Sequence, residues 1–117
     1  MSIQLKRIYE SANKNDGIRV LVDRIWPRGV SKDKAKLDYW LKGIGPSTKL
    51  RKDFNHDPEK FADFKEKYKQ ELKNGEQKEQ LNQLKDIVKS NSKVTLLYGA
   101  KDEQHNQAVI LKELLEK

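Results

Sequence analysis

The segment Val94-Thr95-Leu96-Leu97-Tyr98, followed by Gly99 and then a helical pattern, constrains the fold more than any other stretch of the chain. Successive strand residues point to opposite faces, so an apolar run without alternation does not suit a sheet with one wet face. It reads as a strand buried on both sides, as in a parallel sheet. After the turn Gly99-Ala100-Lys101-Asp102, a final helix carries Ala108, Leu111 and Leu115 on one face, and strand, glycine turn and helix together make an α/β unit.

The remaining elements fit that class. Ile3, Leu5 and then Ile8 predict a first strand with imperfect alternation, followed by the polar turn Ser11 to Gly17. Ile18 to Ile25 has strand density, with Ile18, Val20 and Val22 on one face and Arg19, Leu21 and Asp23 on the other; it is read as the centre of the sheet. Ser31 caps a helix predicted over Lys32 to Lys42, with Leu37, Trp40, Leu41 and then Ile44 as its apolar stripe. Ser47 caps a short helix carrying Leu50 and Phe54, and Asp57-Pro58 starts another that runs through Phe61, Phe64, Tyr68 and Leu72 to about Lys73. Leu81, Leu84, Ile87 and Val88 mark a further helix, and a short additional strand is allowed near Ile44 or Leu50. The reading is a single small α/β domain over residues 1–117, with helices packed on a short, largely parallel sheet and no internal repeat or linker.

Ligands of open α/β sheets bind beyond the carboxyl ends of the strands. Two strand exits carry unusual chemistry. Asp23-Arg24-Ile25-Trp26-Pro27-Arg28-Gly29 combines a carboxylate, two arginines and an indole with its turn residues, whereas a plain strand exit needs only the turn. Arg24 and Arg28 can hold an anion in a fork, Asp23 can orient an arginine or act as a base, and Trp26 can stack on a planar ligand, although a core plug is the better reading of a tryptophan before proline. At the second exit, Gly99 allows close backbone approach and the next helix offers free amides to an anion. That exit also supplies Tyr98, Lys101, Asp102, His105 and Asn106.

Only two histidines occur. His105 is assigned to the first turn of the last helix, beside Asp102 and Asn106, and is the candidate acid or base together with Asp23. His56, just before Asp57-Pro58, is read as bonding the turn backbone. With no cysteine there is no thiol nucleophile, disulfide or cysteine-ligated metal, and the histidines lack metal-site spacing. The chain opens without a signal-peptide core and holds no membrane-length apolar run, which together with the missing cysteine predicts a cytoplasmic protein.

The net charge of +7 is unevenly placed. Residues 1–52 hold 13 Lys/Arg against 5 Asp/Glu, and residues 53–117 hold 12 against 13. All five arginines, Arg7, Arg19, Arg24, Arg28 and Arg51, lie in the first half, while the 20 lysines are spread throughout. Where lysine is the solubilising cation, arginine marks places that need a planar fork. At least two of the five are expected to brace the fold instead.

The elements Asp23-Arg24-Ile25-Trp26-Pro27-Arg28-Gly29, His56-Asp57-Pro58 and Leu96-Leu97-Tyr98-Gly99-Ala100-Lys101-Asp102 through His105-Asn106-Gln107-Ala108 resemble the YeaO-like branch of the family called domain of unknown function 488. The resemblance spans nearly the whole chain. It implies a compact cytosolic bacterial α/β protein, brings no reaction with it, and marks Asp23, Arg24, Trp26, Pro27, Arg28, Gly29, His56, Asp57, Tyr98, Lys101, Asp102, His105 and Asn106. Members of the broader family can carry a cysteine after the last strand, where this chain has Tyr98-Gly99, so thiol chemistry does not transfer.

Three function classes follow. The first is a site for an anionic small molecule, bearing phosphate or carboxylate, bound by Arg24, Arg28 and Arg51, with hydrolase- or transferase-type chemistry open to it. The second is a nucleic-acid-binding or regulatory module using the basic half, ranked lower because no nucleic-acid-binding motif occurs. The third is a structural or partner-binding domain in which Asp23, Arg24 and Arg28 satisfy one another in a buried network. None of the three comes with a named cofactor or oligomeric state.

Overall fold

The computed structural model describes residues 2–117. Its single sheet has four strands, β1 (Ser2–Arg7), β2 (Ile18–Leu21), β3 (Tyr39–Trp40) and β4 (Lys93–Tyr98), in the order β1-β4-β2-β3. All three pairings are parallel, with Leu5 opposite Leu96 and Val20 opposite the same residue on the other side. The unalternating run Val94–Tyr98 therefore forms an inner strand, and every one of its residues is buried. Its one polar member, Thr95, donates its hydroxyl to the Asp16 carbonyl at 2.6 Å, so the hydroxyl is not left unmet inside the sheet. β2 shares the inner position.

The two faces are covered unequally. Val20, Val22, Val94, Leu96 and Tyr98 turn toward a large core with the helices α2 (Thr48–Phe54), α3 (Phe61–Glu71), α4 (Gly75–Ser90) and α5 (Gln107–Leu115). Each fully buried Leu- or Phe-sized side chain in it contributes roughly 1.5–3 kcal/mol. The opposite face carries only Ile8, Leu21, Ala35 and Leu97, closed over by Trp26, Val30 and Leu37. Trp26 is thus a core plug, its indole N–H donated to the Val30 carbonyl at 2.7 Å.

The helix predicted over Lys32 to Lys42 is corrected. Only one turn forms, α1 (Lys32–Ala35), capped by Ser31 and stopped by Lys36 in the left-handed region at φ 46°. Asp38 then ties the chain to β2, accepting from the Arg19 amide at 2.8 Å and donating its own amide to the Arg19 carbonyl at 2.9 Å. This pairing lays Tyr39–Trp40 down as the edge strand β3. The additional strand is therefore here and not near Ile44 or Leu50. Strand β2 ends at Leu21, short of Ile25, and the Asp57-Pro58 start is a 3-10 turn over Pro58–Lys60 before α3 begins.

Near the sheet, Asp16 and Arg19 form a buried ion pair that Lys6 joins at 3.1 Å. Arg19 also donates Nε and Nη2 to the Ala35 carbonyl at 3.0 and 2.8 Å, which locks α1 against the sheet. No helix among the described residues is long and apolar enough to cross a membrane. Because all strands run the same way, their carboxyl ends share one edge, and the loops after β2, β3 and β4 meet there.

Candidate functional site

Asp23 ties two of these loops together. Its Oδ2 accepts from the Gly99 amide at 2.8 Å and its Oδ1 from the Gln107 side-chain amide. A Cβ at position 99 would sit 3.0 Å from Oδ2, so glycine is what lets the β4 exit approach the carboxylate this closely. Burial pushes the Asp23 carboxyl up to about 6, against the pull of the two hydrogen bonds and of Arg51.

The five arginines have separate roles. Arg7 donates to the carbonyls of Ala100 and Gly99 at 2.9 and 3.3 Å, bracing the β4 exit from β1. Arg24 donates Nε to the Pro46 carbonyl and Nη2 to the Gly45 carbonyl, at 3.1 and 2.7 Å, clamping the loop that leads into α2. Arg19 is locked to Asp16 and Ala35. Arg28 is exposed, and only its backbone carbonyl is engaged, by the Tyr9 hydroxyl at 3.0 Å. Arg51, on α2, reaches only the Thr48 hydroxyl, at 3.5 Å, and its Nε is a buried donor without a partner. Such a donor is unusual in a folded chain and costs roughly 1–3 kcal/mol when left unmet.

Arg51 lies in a cleft of two adjoining lobes. One, of about 220 Å³, is lined by Asp23, Arg24, Ile25 and Gly99. The other, of about 130 Å³, is lined by Phe54, Phe64, His105 and Asn106. Pro46, Arg51, His56, Ala100 and Gln107 border both. The inner wall is aromatic, with Phe54 stacked on Phe64 at 4.3 Å and 18° between planes. A larger hollow of about 460 Å³ lies between Ile8–Ala12 and Gly29–Lys36, and of the site residues singled out in the sequence only Gly29 lines it.

The two histidines come from different loops, one after α2 and one before α5. Asn55 and His56 both have positive φ, 47° and 55°, a backbone that ends α2 abruptly and leaves His56 at the cleft rim. His105 precedes the last helix and is not in its first turn: Asn106 is the N-cap, its Oδ1 accepting from the amides of Ala108 and Val109 at 2.9 and 3.2 Å. Asp102 accepts from the amides of Gln104 and His105 and holds the His105 Nδ1 at 2.9 Å, leaving Nε2 as the free ring nitrogen. The Gln104 amide, helped by His105, keeps Asp102 below the usual carboxylate range. His105 also packs edge-on to Phe61 at 5.1 Å.

Of the predicted site residues, Asp23, Arg24, Arg51, Gly99, His105 and Asn106 line this cleft. Trp26 and Tyr98 are packed into the two sides of the core, and burial pushes the Tyr98 phenol up. Asp102 stands behind His105, while Lys101 and Arg28 are exposed outside the lining. Sequence reasoning passed over Gln107, Phe54, Phe64 and Pro46, and read His56 as bonding its turn although the family resemblance marks it. Gln107 had a usable signal, one residue beyond the His105-Asn106 pair, whereas the aromatic wall looked like ordinary core.

The whole described chain, residues 2–117, matches the family described as "Inactive DUF488-N3 subclade". The chain belongs to the DUF488 family. Its DUF488 relatives include "Uncharacterized protein YeaO" of Escherichia coli (strain K12), 46% identical over 115 residues, 98% of this chain and 97% of that one. "Uncharacterized protein Rv3073c" of Mycobacterium tuberculosis (strain ATCC 25618 / H37Rv) is 35% identical over 113 residues, 97% of this chain and 92% of its own. "Uncharacterized protein Mb3100c" of Mycobacterium bovis (strain ATCC BAA-935 / AF2122/97) aligns with the same identity and coverage. No solved structure matches this DUF488 chain.

Proposed function

We propose that this DUF488 chain is a cytoplasmic domain that binds a small anionic molecule, bearing phosphate or carboxylate, in the cleft between the β2 and β4 exits, without turning it over. The observation that carries the reading is Arg51. Three of the other arginines are spent on backbone carbonyls, and Arg28 points elsewhere, so Arg51 is the guanidinium whose donors remain available inside a concave site. The Nη donors of that guanidinium can pair with a phosphate or carboxylate held in the cleft.

Binding without chemistry is favoured by Asp23, whose two oxygens both accept from protein donors, so it acts as a brace for the loops and not as a free base. The family's description as inactive points the same way. His105, oriented by Asp102, then serves as a polar contact through Nε2 and not as a proton shuttle.

The test is a thermal-shift and calorimetric screen of sulfate, phosphate, sugar phosphates, nucleotides and small carboxylates against the wild type, Arg51→Met and Arg28→Ala. Ligand at about 100 times its Kd stabilises the folded state by about 2.7 kcal/mol. Arg51→Met is expected to abolish the shift and Arg28→Ala to keep it. A shift that survives in folded Arg51→Met, or no shift with any anion, refutes the reading. A steep, uniform loss of nucleic-acid binding with salt in the same protein favours the nucleic-acid class instead.

A further inference from the structure

The two lobes that Arg51 borders differ in chemistry. The larger one holds the carboxylate of Asp23, the Gly99 turn and the Arg24 side chain. The smaller one is walled by the stacked rings of Phe54 and Phe64 with Pro46 and Ala100, and its polar residues are mostly committed: Asn106 to capping α5 and His105 Nδ1 to Asp102. At about 130 Å³ it is close to the roughly 150 Å³ of an apolar cavity known to take up a benzene ring. A hydrated inorganic anion gains nothing from such a wall, because stripping its water for apolar contact is unfavourable. A ring seated there, by contrast, buries apolar surface against the Phe54 and Phe64 side chains while a charged substituent reaches Arg51 at the shared border.

From this juxtaposition we propose that the ligand is an aryl anion, a flat six-membered ring bearing a phosphate or carboxylate, with the ring in the Phe54–Phe64 lobe and the charge on Arg51. The proposal rests on the anion-binding reading and goes beyond it by assigning the uncharged half of the molecule. It also gives the smaller lobe a selective role. Anions of equal charge are sorted by whether they carry a planar apolar group small enough to enter.

Methyl phosphate and phenyl phosphate test it, since they share a headgroup and differ in the ring. Affinities are measured by calorimetry on the wild-type chain, Arg51→Met, Ala100→Leu and Phe54→Leu, with each variant's fold checked by circular dichroism. Ala100 is partly buried at the border of the lobe, so a leucine there fills the space without removing core. Phenyl phosphate is expected to bind the wild type at least tenfold more tightly than methyl phosphate, equivalent to about 1.4 kcal/mol. Ala100→Leu is expected to bring the ratio close to one, and intermolecular NOEs are expected between the phenyl protons and the Ala100 methyl group.

Equal affinities of the wild type for the two probes, lost together in Arg51→Met, overturn the ring assignment and leave the anion site standing. A tenfold preference that persists in both folded Ala100→Leu and Phe54→Leu also overturns it, because the ring then sits elsewhere. Absence of binding by either probe overturns the ring assignment, and the anion reading falls with it only when no anion of the wider screen shifts the wild type.

Discussion

Replacing Asp23 by asparagine tests whether the carboxylate is held charged at an energetic cost. Burial raises its pKa from 3.8 to about 6 even though two N–H donors and Arg51 favour the charged form. Protonated aspartate and asparagine are near-isosteres. The substituted carboxamide can still accept from the Gly99 amide through its oxygen, and the Gln107 amide can turn its own oxygen toward the new NH2 group. Because the folded pKa lies above the unfolded value, the native state binds more protons between them, so the aspartate's contribution to stability falls as pH rises from 3.8 through about 6. The full penalty, about 3 kcal/mol, is in force above that window and absent below it. Asp23→Asn is therefore expected to be more stable than the wild type by up to about 3 kcal/mol at about pH 8, or roughly 10 °C in Tm for a domain of this size, and to gain nothing at about pH 3.5. Urea titrations of both proteins at half-unit pH steps read the difference directly, and every other carboxylate cancels between them. A difference that is flat across pH, or a mutant less stable at about pH 8, would mean that the donors from Gly99 and Gln107 outweigh burial and that Asp23 ionises like an ordinary surface acid.

The same proton bears on binding. Sulfate keeps its charge from about pH 5 to 8, so its affinity is expected to rise as pH falls through about 6 and Asp23 is neutralised; calorimetry on Asp23→Asn should lose that rise. Arg24→Met is expected to cost about 1–3 kcal/mol, since it strands the Pro46 carbonyl, whereas Gly45 keeps its second donor from Gln77; urea denaturation measures it. Arg51→Met, which loses only the 3.5 Å contact to Thr48 and removes the unmet buried Nε, is expected to be more stable than wild type by about 1–3 kcal/mol by the same method. Tyr68→Phe removes a fully buried hydroxyl that donates to the Ile44 carbonyl at 2.6 Å, and thermal denaturation should register a loss of about 1–3 kcal/mol. Asn106→Ala uncaps α5 and frees the Asp102 carbonyl, with an expected cost of about 1 kcal/mol and faster amide exchange at Ala108 and Val109.

Much of this architecture is legible in one dimension. The unalternating run Val94–Tyr98 demanded an inner strand, because apolar residues of both parities need both faces covered. Leu81, Leu84, Ile87 and Val88 on α4, and Phe64 and Tyr68 on α3, announce their helices because a 3.6-residue period puts them on one side. Ser31, Ser47 and Asp57 mark helix starts by hydrogen-bonding chemistry that acts within three residues. These are local rules, and local sequence suffices for them.

The rest was decided by partners distant in the chain. Leu37, Trp40, Leu41 and Ile44 carry helical spacing, yet the exchange of hydrogen bonds between Asp38 and Arg19 lays Tyr39–Trp40 on the sheet edge instead. Five arginines look alike in sequence, and only the packed molecule assigns Arg7, Arg19 and Arg24 to backbone carbonyls and leaves Arg51 with a buried, unmet donor. Arg51 and His56 reach the strand ends because α2 packs across from the β4 exit, a placement set by which side chains of α2 and α3 fit the core. Periodicity says which side of an element is buried. Which loops that burial brings together depends on contacts between residues tens of positions apart, and no short pattern encodes them.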